Sequence, residues 1–385
     1  MLKKALAGRK RCWAWIAFLF IVMGVSAACY VRQLTVGLGI TGMGRDVSWG
    51  LYIAQFTFLV GVAASAVVVV LPYYLHDYKA FGRITVLAEF LAVAAVAMCG
   101  MFIVADMGRP DRVFFILLHP TPGSVMFWDM LVLNAYMVMN ILIAWAVLGA
   151  ERNEVPPPRW VKPLIYLSIP TAISIHTVTA FLYAGLPGRH LWLSAILAAR
   201  FLASAFSSGP ALLILLCLII KRLSRWDPGV EAIRLLARIL TYALLANLFF
   251  LLIEFFTAFY SRIPEHMQSL QYLYFGLEGH GNLVPWMRAS VLLAVIATVL
   301  LIIPRARLNE GILAVACAAV FFSIWIEKGL GLVVGGFIPS PLEKIVEYSP
   351  TGPELFITFG VWAAGALILT ILYKIAIAVK EELSA

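Results

Sequence analysis

The stretch Ala105–Asp129, ADMGRPDRVFFILLHPTPGSVMFWD, gathers Asp106, Arg109, Asp111, Arg112, His119 and Asp129 beside Phe114, Phe115, Phe127 and Trp128. Carboxylates can accept protons, an arginine can polarise a carbonyl, and aromatic faces can stack on a flat ring. Three prolines punctuate the segment, and long apolar runs lie on both sides of it. A polar, aromatic loop between two hydrocarbon-like runs is a place to look for chemistry.

The elements that must position it follow from composition. The chain has 385 residues, 63% hydrophobic and 13% charged, with a mean hydropathy of +0.95. A soluble domain of this size would expose too much apolar surface at that balance. Repeated apolar runs of about 18 residues or more predict an all-α polytopic membrane protein. Ten transmembrane helices are expected over 13–35, 50–75, 84–106, 125–148, 163–185, 191–220, 236–260, 286–303, 310–328 and 355–379. The first run reads as a retained span, not a cleaved leader. Short connectors leave no room for a separate soluble domain.

The net charge of +9 invites a nucleic-acid reading, which its distribution refuses. Lys and Arg alternate between rich connectors (Lys3–Arg11, Arg152–Lys162, Lys221–Arg238) and poor ones. That asymmetry sets orientation and predicts both termini in the cytoplasm, with Ala105–Asp129 outside. The partner it implies is the lipid membrane, with no nucleic acid. Cys12, Cys29, Cys99, Cys217 and Cys317 include no CxxC spacing, so no metal or iron–sulfur site is expected from them.

Several polar residues fall within or at the ends of the spans. Tyr52 and Gln55 share a helical face three residues apart. Glu89 sits on the cytoplasmic half of span 3, His176 is the one histidine deep in a span, Arg200 falls near the middle of span 6, and Glu254 lies in span 7. An intramembrane ionisable group is costly unless neutral or paired, and so is a functional candidate. Bound haem b needs paired histidines on facing spans, and His176 has no such mate. A quinone site needs less: an apolar slot, donors for its carbonyls, and a group to carry protons. Asp129 is the first choice for the proton acceptor and His176 the second. Trp49, Tyr52, Gln55, Asp106, Arg109, Trp128 and Arg200 are the candidate quinone-binding residues, and Glu89 and Glu254 the candidate proton path.

Plainer readings stand beside these. Asp106 and Asp129 could be helix-end residues paired with Arg109 or Arg112, and His176 a satisfied structural donor. Trp49 and Trp128 fit an interfacial belt as well as a stacking surface. Glu327 and Lys328 read as the end of span 9.

A faint internal repeat is legible. Trp49 precedes FLVGVAAS by nine positions, and Trp192 precedes FLASAFSS by nine. Span 3 exits through Asp106 and Arg109–Pro110, span 7 through Glu254 and Arg262-Ile-Pro264. Two parallel four-helix bundles with flanking helices are expected. The division is 1–48 (basic leader, first helix and outer loop), 49–185 (first bundle, with the outer-face site), 186–330 (second bundle) and 331–385 (outer docking loop and last helix).

At WGLYIAQFTFLVGVAAS, at DMGRPDR followed by HPTPGSVMFWD, and at IHTVTAFLYAG with the later SAFSSGPALL, the chain resembles the NrfD/PsrC family over essentially its whole length. The span count resembles the HybB-like ten-helix branch, and GFIPSPLEKIVEYSPT most resembles the DsrP-type subunits of DsrMKJOP complexes of sulfur metabolism. The resemblance implies a haem-free subunit that exchanges electrons between menaquinone and a docked, outside-facing, ferredoxin-like iron–sulfur subunit. For the DsrP type it also implies a multihaem cytochrome c, a b-type cytochrome subunit and a cytoplasmic iron–sulfur subunit as partners. The family's quinone pocket would fall on Trp49, Tyr52, Asp106, Arg109 and Asp129. The rival is a secondary transporter or ion-translocating subunit, which Glu89, Glu254 and Arg200 would suit. A transporter site, however, belongs near the midplane, and the densest polar cluster here is at one surface.

Overall fold

A computed structural model describes residues 10–384, so most of the basic leader Lys3–Arg11 lies outside the described residues. Among those described, the structure is almost wholly helical, without a strand, and ten helices are long and apolar enough to cross a membrane. The protein is a multi-pass integral membrane protein. The helices are α1 (Lys10–Val36), α2 (Leu51–Leu75), α3 (Thr85–Asp106), α4 (Val125–Arg152), α5 (Val161–Ala184), α6 (Leu197–Leu223), α7 (Val230–Ser261), α8 (Val284–Ile302), α9 (Glu310–Gly335) and α10 (Gly352–Leu383). The end carrying the 107–124 loop is called the loop face below. The other, carrying Lys79, Lys162 and Arg305, is the basic face.

Burial follows each helix's sequence. α2 is apolar on all sides and almost wholly enclosed, as a helix surrounded by others must be. α1 is the opposite case. Its buried residues are Leu19, Ser26 and Gln33, one every seven residues, forming a single narrow seam. The rest of α1 faces outward with Phe18, Ile21 and Val25, as lipid-facing surface does. α7 presents Phe249, Leu252, Phe256 and Tyr260 outward in the same way.

α2 packs on α3, α3 on α4, α4 on α5, and α5 returns to α2. α6, α7, α8 and α9 are likewise neighbours in order, and α9 returns to α6. The two sets meet where α2 crosses α6 and the lower half of α9. Small residues permit that crossing: a Cβ on Gly209 would stand 2.9 Å from the Ser65 backbone nitrogen, and one on Gly61 would stand 3.1 Å from Ser208 Oγ. α1 and α10 pair with each other along one flank, against α3.

Two spans differ from expectation. Span 6 begins at Leu197, not 191, so Arg200 lies in its first turn near the loop face and not near its middle. Residues 191–196 are held off the helix because Trp192 is buried sideways, its Nε1 donating to Leu332 O at 2.8 Å. Gly336 makes room for that indole, since a Cβ there would run into the ring. Span 9 does not end at Glu327–Lys328. The helix widens into a π-helical segment over Trp325–Gly331 and continues to Gly335, so both charges lie inside the protein.

Candidate functional site

Three residues of IHTVTAFLYAG form one stripe on α5. His176, Thr179 and Tyr183 are spaced i, i+3 and i+7, share a helical face, and are all fully buried. Thr179 Oγ1 donates to Asp129 Oδ1 at 2.6 Å, and Ile175 O, 2.7 Å away, shares the same single hydroxyl hydrogen. Asp129 enters from the second turn of α4 and is 4% exposed. The Tyr183 hydroxyl shares a short hydrogen bond with Thr57 of α2. His176 is enclosed with neither ring nitrogen partnered. The result is a buried polar column of a carboxylate, three hydroxyl-bearing side chains and an imidazole.

Aromatic rings cap the column at the loop face. Trp49 lies 5.4 Å from Tyr183, 5.8 Å from Trp192 and 5.9 Å from Phe337, centroid to centroid. Trp49 is thus packed among the protein's own aromatic rings, edge-on to Tyr183 and Phe337 and tilted against Trp192. Trp128 is 45% exposed, its Nε1 donating to Pro122 O at 2.8 Å, and fits an interfacial belt.

Other predicted residues are spread more widely. Tyr52 donates to Gln33 Oε1 at 2.8 Å, and Gln33 Nε2 donates to Ala105 O at 2.6 Å, tying α2 to α1 and α3. Gln55 Oε1 accepts from Trp325 Nε1 at 2.8 Å and Trp362 Nε1 at 3.0 Å, linking α2 to α9 and α10, while its Nε2 is buried and unpartnered. Asp106 keeps one buried oxygen without a partner, and no hydrogen bond or ion pair joins it to Asp129 among the described residues. Arg109 reaches neither aspartate; it forms a two-point pair with Asp111 at 2.9 and 3.0 Å on the exposed loop. The hydrogen bonds of that pair, helped by the opposite charges, raise the pKa of Arg109 and lower that of Asp111.

Arg200 forms the centre of a second polar group. Its guanidinium pairs with Glu254 of α7 and with Glu327 of the π-helical segment, two carboxylates on different helices. Lys328 beside it is buried, its ammonium 4.3 Å from the Phe201 ring centroid and donating to Phe201 O at 3.3 Å. Two cations and two carboxylates thus lie together without net charge, which is how buried ions are tolerated. Glu89 stands apart near the basic face, enclosed with one oxygen unpartnered.

Sequence reasoning passed over Thr179, Tyr183, Gln33, Glu327 and Lys328. The i, i+3, i+7 spacing from His176 was the signal for the first two. At the loop face, Glu354 was also missed: it accepts from Gly42 N at 3.0 Å and Leu51 N at 3.4 Å and binds the Tyr348 hydroxyl, fastening the connector between α9 and α10 to the start of α2. Glu347 next to it accepts from Asn282 N at 2.7 Å and Tyr272 OH at 3.1 Å, and lies 3.3 Å from His280 Nδ1. No group of three or more His, Cys, Asp and Glu able to hold a metal ion occurs among the described residues.

Similarity to characterised proteins runs along nearly the whole chain. A putative dimethyl sulfoxide reductase membrane subunit of Halobacterium salinarum is 26% identical, with 93% of this chain and 89% of that one aligned. The menaquinone reductase integral membrane subunit of Nitratidesulfovibrio vulgaris is 21% identical over 94% and 90%. The Hdr-like menaquinol oxidoreductase integral membrane subunit of Archaeoglobus fulgidus is 23% identical over 68% and 64%. The family model described as polysulphide reductase, NrfD, matches residues 39–339, and on that match, which takes in α2 to α9, the chain belongs to the NrfD family.

Proposed function

We propose that this chain is the quinone-reactive membrane subunit of a respiratory oxidoreductase complex, oxidising or reducing menaquinone beside Asp129. The observation that carries the reading is the buried column itself. Asp129 is held by Thr179 one helical turn from His176, whose two nitrogens are enclosed and unpartnered. A buried polar atom without a partner costs about 1–3 kcal/mol, and such atoms call for an explanation. A carbonyl- or hydroxyl-bearing ring would satisfy the imidazole and fits the donor set. Family membership and the names of two relatives, a menaquinone reductase and a menaquinol oxidoreductase subunit, support the same class of ligand.

Bound menaquinone would supply two-electron, two-proton redox chemistry. The chain's own residues do the rest. Asp129 Oδ2 is the atom left to take or return a proton, because Oδ1 is engaged by Thr179. His176 orients a ring oxygen or carries the second proton. Trp49 and Tyr183 close the loop-face end against water. Glu89 and Glu254 are the groups through which protons would move if transfer across the membrane accompanies the reaction.

The basic connectors support an orientation with both termini in the cytoplasm, in which the loop face would lie outside the cytoplasmic membrane. There it would receive a ferredoxin-like iron–sulfur subunit. A multihaem cytochrome c, a b-type cytochrome and an iron–sulfur subunit on the cytoplasmic side would make up the rest of a complex of the DsrP-type, HybB-like branch. The chain would divide into two four-helix bundles at 49–185 and 186–330, each a ring of neighbouring helices.

The test is quinone extraction from the purified complex together with menaquinol-linked electron transfer after Asp129→Asn. The expected result is bound quinone in the parent and a rate lowered about a hundredfold or more, the usual scale for losing a proton-transfer group. An unchanged rate, with no quinone extractable, would remove the site and leave the transporter reading.

A further inference from the structure

A cavity of about 350 Å³ opens at the loop-face end of α6 and α7, lined by Leu191, Ser194, Ile253, Glu254, Thr257 and His266 among others. That volume is within the range of small-molecule sites. Its floor is the Glu254 carboxylate, fixed by Arg200, and the His266 ring stands 6.1 Å from that of His190. Its outer wall is exposed and apolar at Leu193 and Ile263, and the outward stripe of α7, Phe256 and Tyr260, runs beside it. Those apolar side chains would favour the entry of an amphiphile from the bilayer side.

The internal repeat says what this space corresponds to. Trp49 and Trp192 stand in matching positions before α2 and α6, and their rings meet at the boundary between the two helix sets. Asp106 at the end of α3 and Glu254 near the end of α7 correspond in order only: Arg109 and Pro110 follow the first by three and four residues, Arg262 and Pro264 the second by eight and ten. The cavity thus lies between the start of the first helix and the end of the second in its set. Tyr52 and Asp106 hold those places in the other set.

We propose that this cavity is a second ligand site, taking the ring headgroup of a quinone-class amphiphile that enters from lipid, with Glu254 accepting from a ring hydroxyl. The ligand class rests on the function proposed above; the existence of the site does not. Ser194 and His266 are the remaining polar groups able to meet a ring oxygen.

The probe is 2-heptyl-4-hydroxyquinoline N-oxide, a fluorescent quinol mimic, titrated against the full chain in nanodiscs of defined phospholipid. Two equivalents are expected for the parent and one for Thr257→Trp, which fills the cavity without touching the Arg200 pair. Ser194→Phe provides a second obstruction should Thr257→Trp not give a monodisperse chain. His176→Phe is expected to remove the other equivalent. A single equivalent in the parent, untouched by both cavity variants and lost in His176→Phe, would overturn the second site and leave the first. A single equivalent lost only in the cavity variants would uphold the second site and remove the first. One equivalent together with phospholipid that co-purifies with the parent but not with Thr257→Trp would make the occupant a lipid and overturn the proposal. No binding at all would overturn both.

Discussion

Thr179 Oγ1 donates to Asp129 Oδ1 across 2.6 Å, and both side chains are buried between α4 and α5. A hydrogen bond to a charged group contributes about 1.5–3 kcal/mol. If the ionised aspartate is the working form, Thr179→Val should lower quinol-linked turnover about ten- to a hundredfold. Thr179→Ser should recover most of it. Steady-state rates with a soluble menaquinol analogue make the measurement, and equal rates in all three proteins would separate Thr179 from the reaction.

His176 gives the sharper contrast, because neither of its ring nitrogens has a partner among the described residues. His176→Phe should leave the thermal midpoint within a few degrees of the parent, since replacing an unsatisfied buried polar group by an apolar one is close to neutral. Turnover should nevertheless fall about a hundredfold. Loss of stability together with retained activity would make His176 a structural residue.

Arg200 bridges Glu254 and Glu327 inside the second helix set. Arg200→Ala leaves two buried carboxylates without a cation, which costs about 3–5 kcal/mol. A clear drop in the denaturation midpoint in detergent is expected. Arg200→Lys should recover only part, because an ammonium lacks the planar fork that reaches two carboxylates. The triple replacement of Arg200, Glu254 and Glu327 by leucine should be more stable than Arg200→Ala alone.

The loop-face connector around Glu347 should be sensitive to acid. Partial burial works to raise the Glu347 pKa, but bonds from the Asn282 N–H, His280 and Tyr272 outweigh it and the net shift is downward from 4.5. A carboxyl whose folded pKa is lowered contributes stability at pH above its unfolded value. That contribution is lost as pH falls below about 4.5 and through the lowered folded value. Amide exchange of residues 272–282 should therefore quicken as pH drops through that window, after correction for intrinsic rates. In Glu347→Gln the loop should already be loosened at neutral pH.

α1 and α10 approach closely where Gly360 lies against Ser26, so that a Cβ on the glycine would run into the serine side chain. Gly360→Leu should part the two helices at that level. The cheapest relief is for α1 to move, since only Leu19, Ser26 and Gln33 of it are buried, with single hydrogen bonds from Trp15 to Thr370 and from Tyr30 to Val104 O beside them. A cysteine pair placed across the seam should crosslink in the parent and fail to do so in Gly360→Leu.

Hydropathy determines the ten crossings by itself, because a helix in hydrocarbon must satisfy its backbone internally and needs about 20 apolar residues to span. Local spacing also carried part of the site. Asp129 was legible one turn into its helix, and the His176 motif held Thr179 and Tyr183 at positions that had to share its face. Tertiary structure decided the rest, because the partner of a buried polar group comes from another helix far away in sequence. Tyr52 and Gln55 lie three residues apart, yet one is bound by Gln33 and the other by Trp325 and Trp362. Glu327 and Lys328 look like the end of a span, since unpaired charges belong at a surface. They are inside because Arg200, 127 residues earlier in the chain than Glu327, and the ring and carbonyl of Phe201 receive them there.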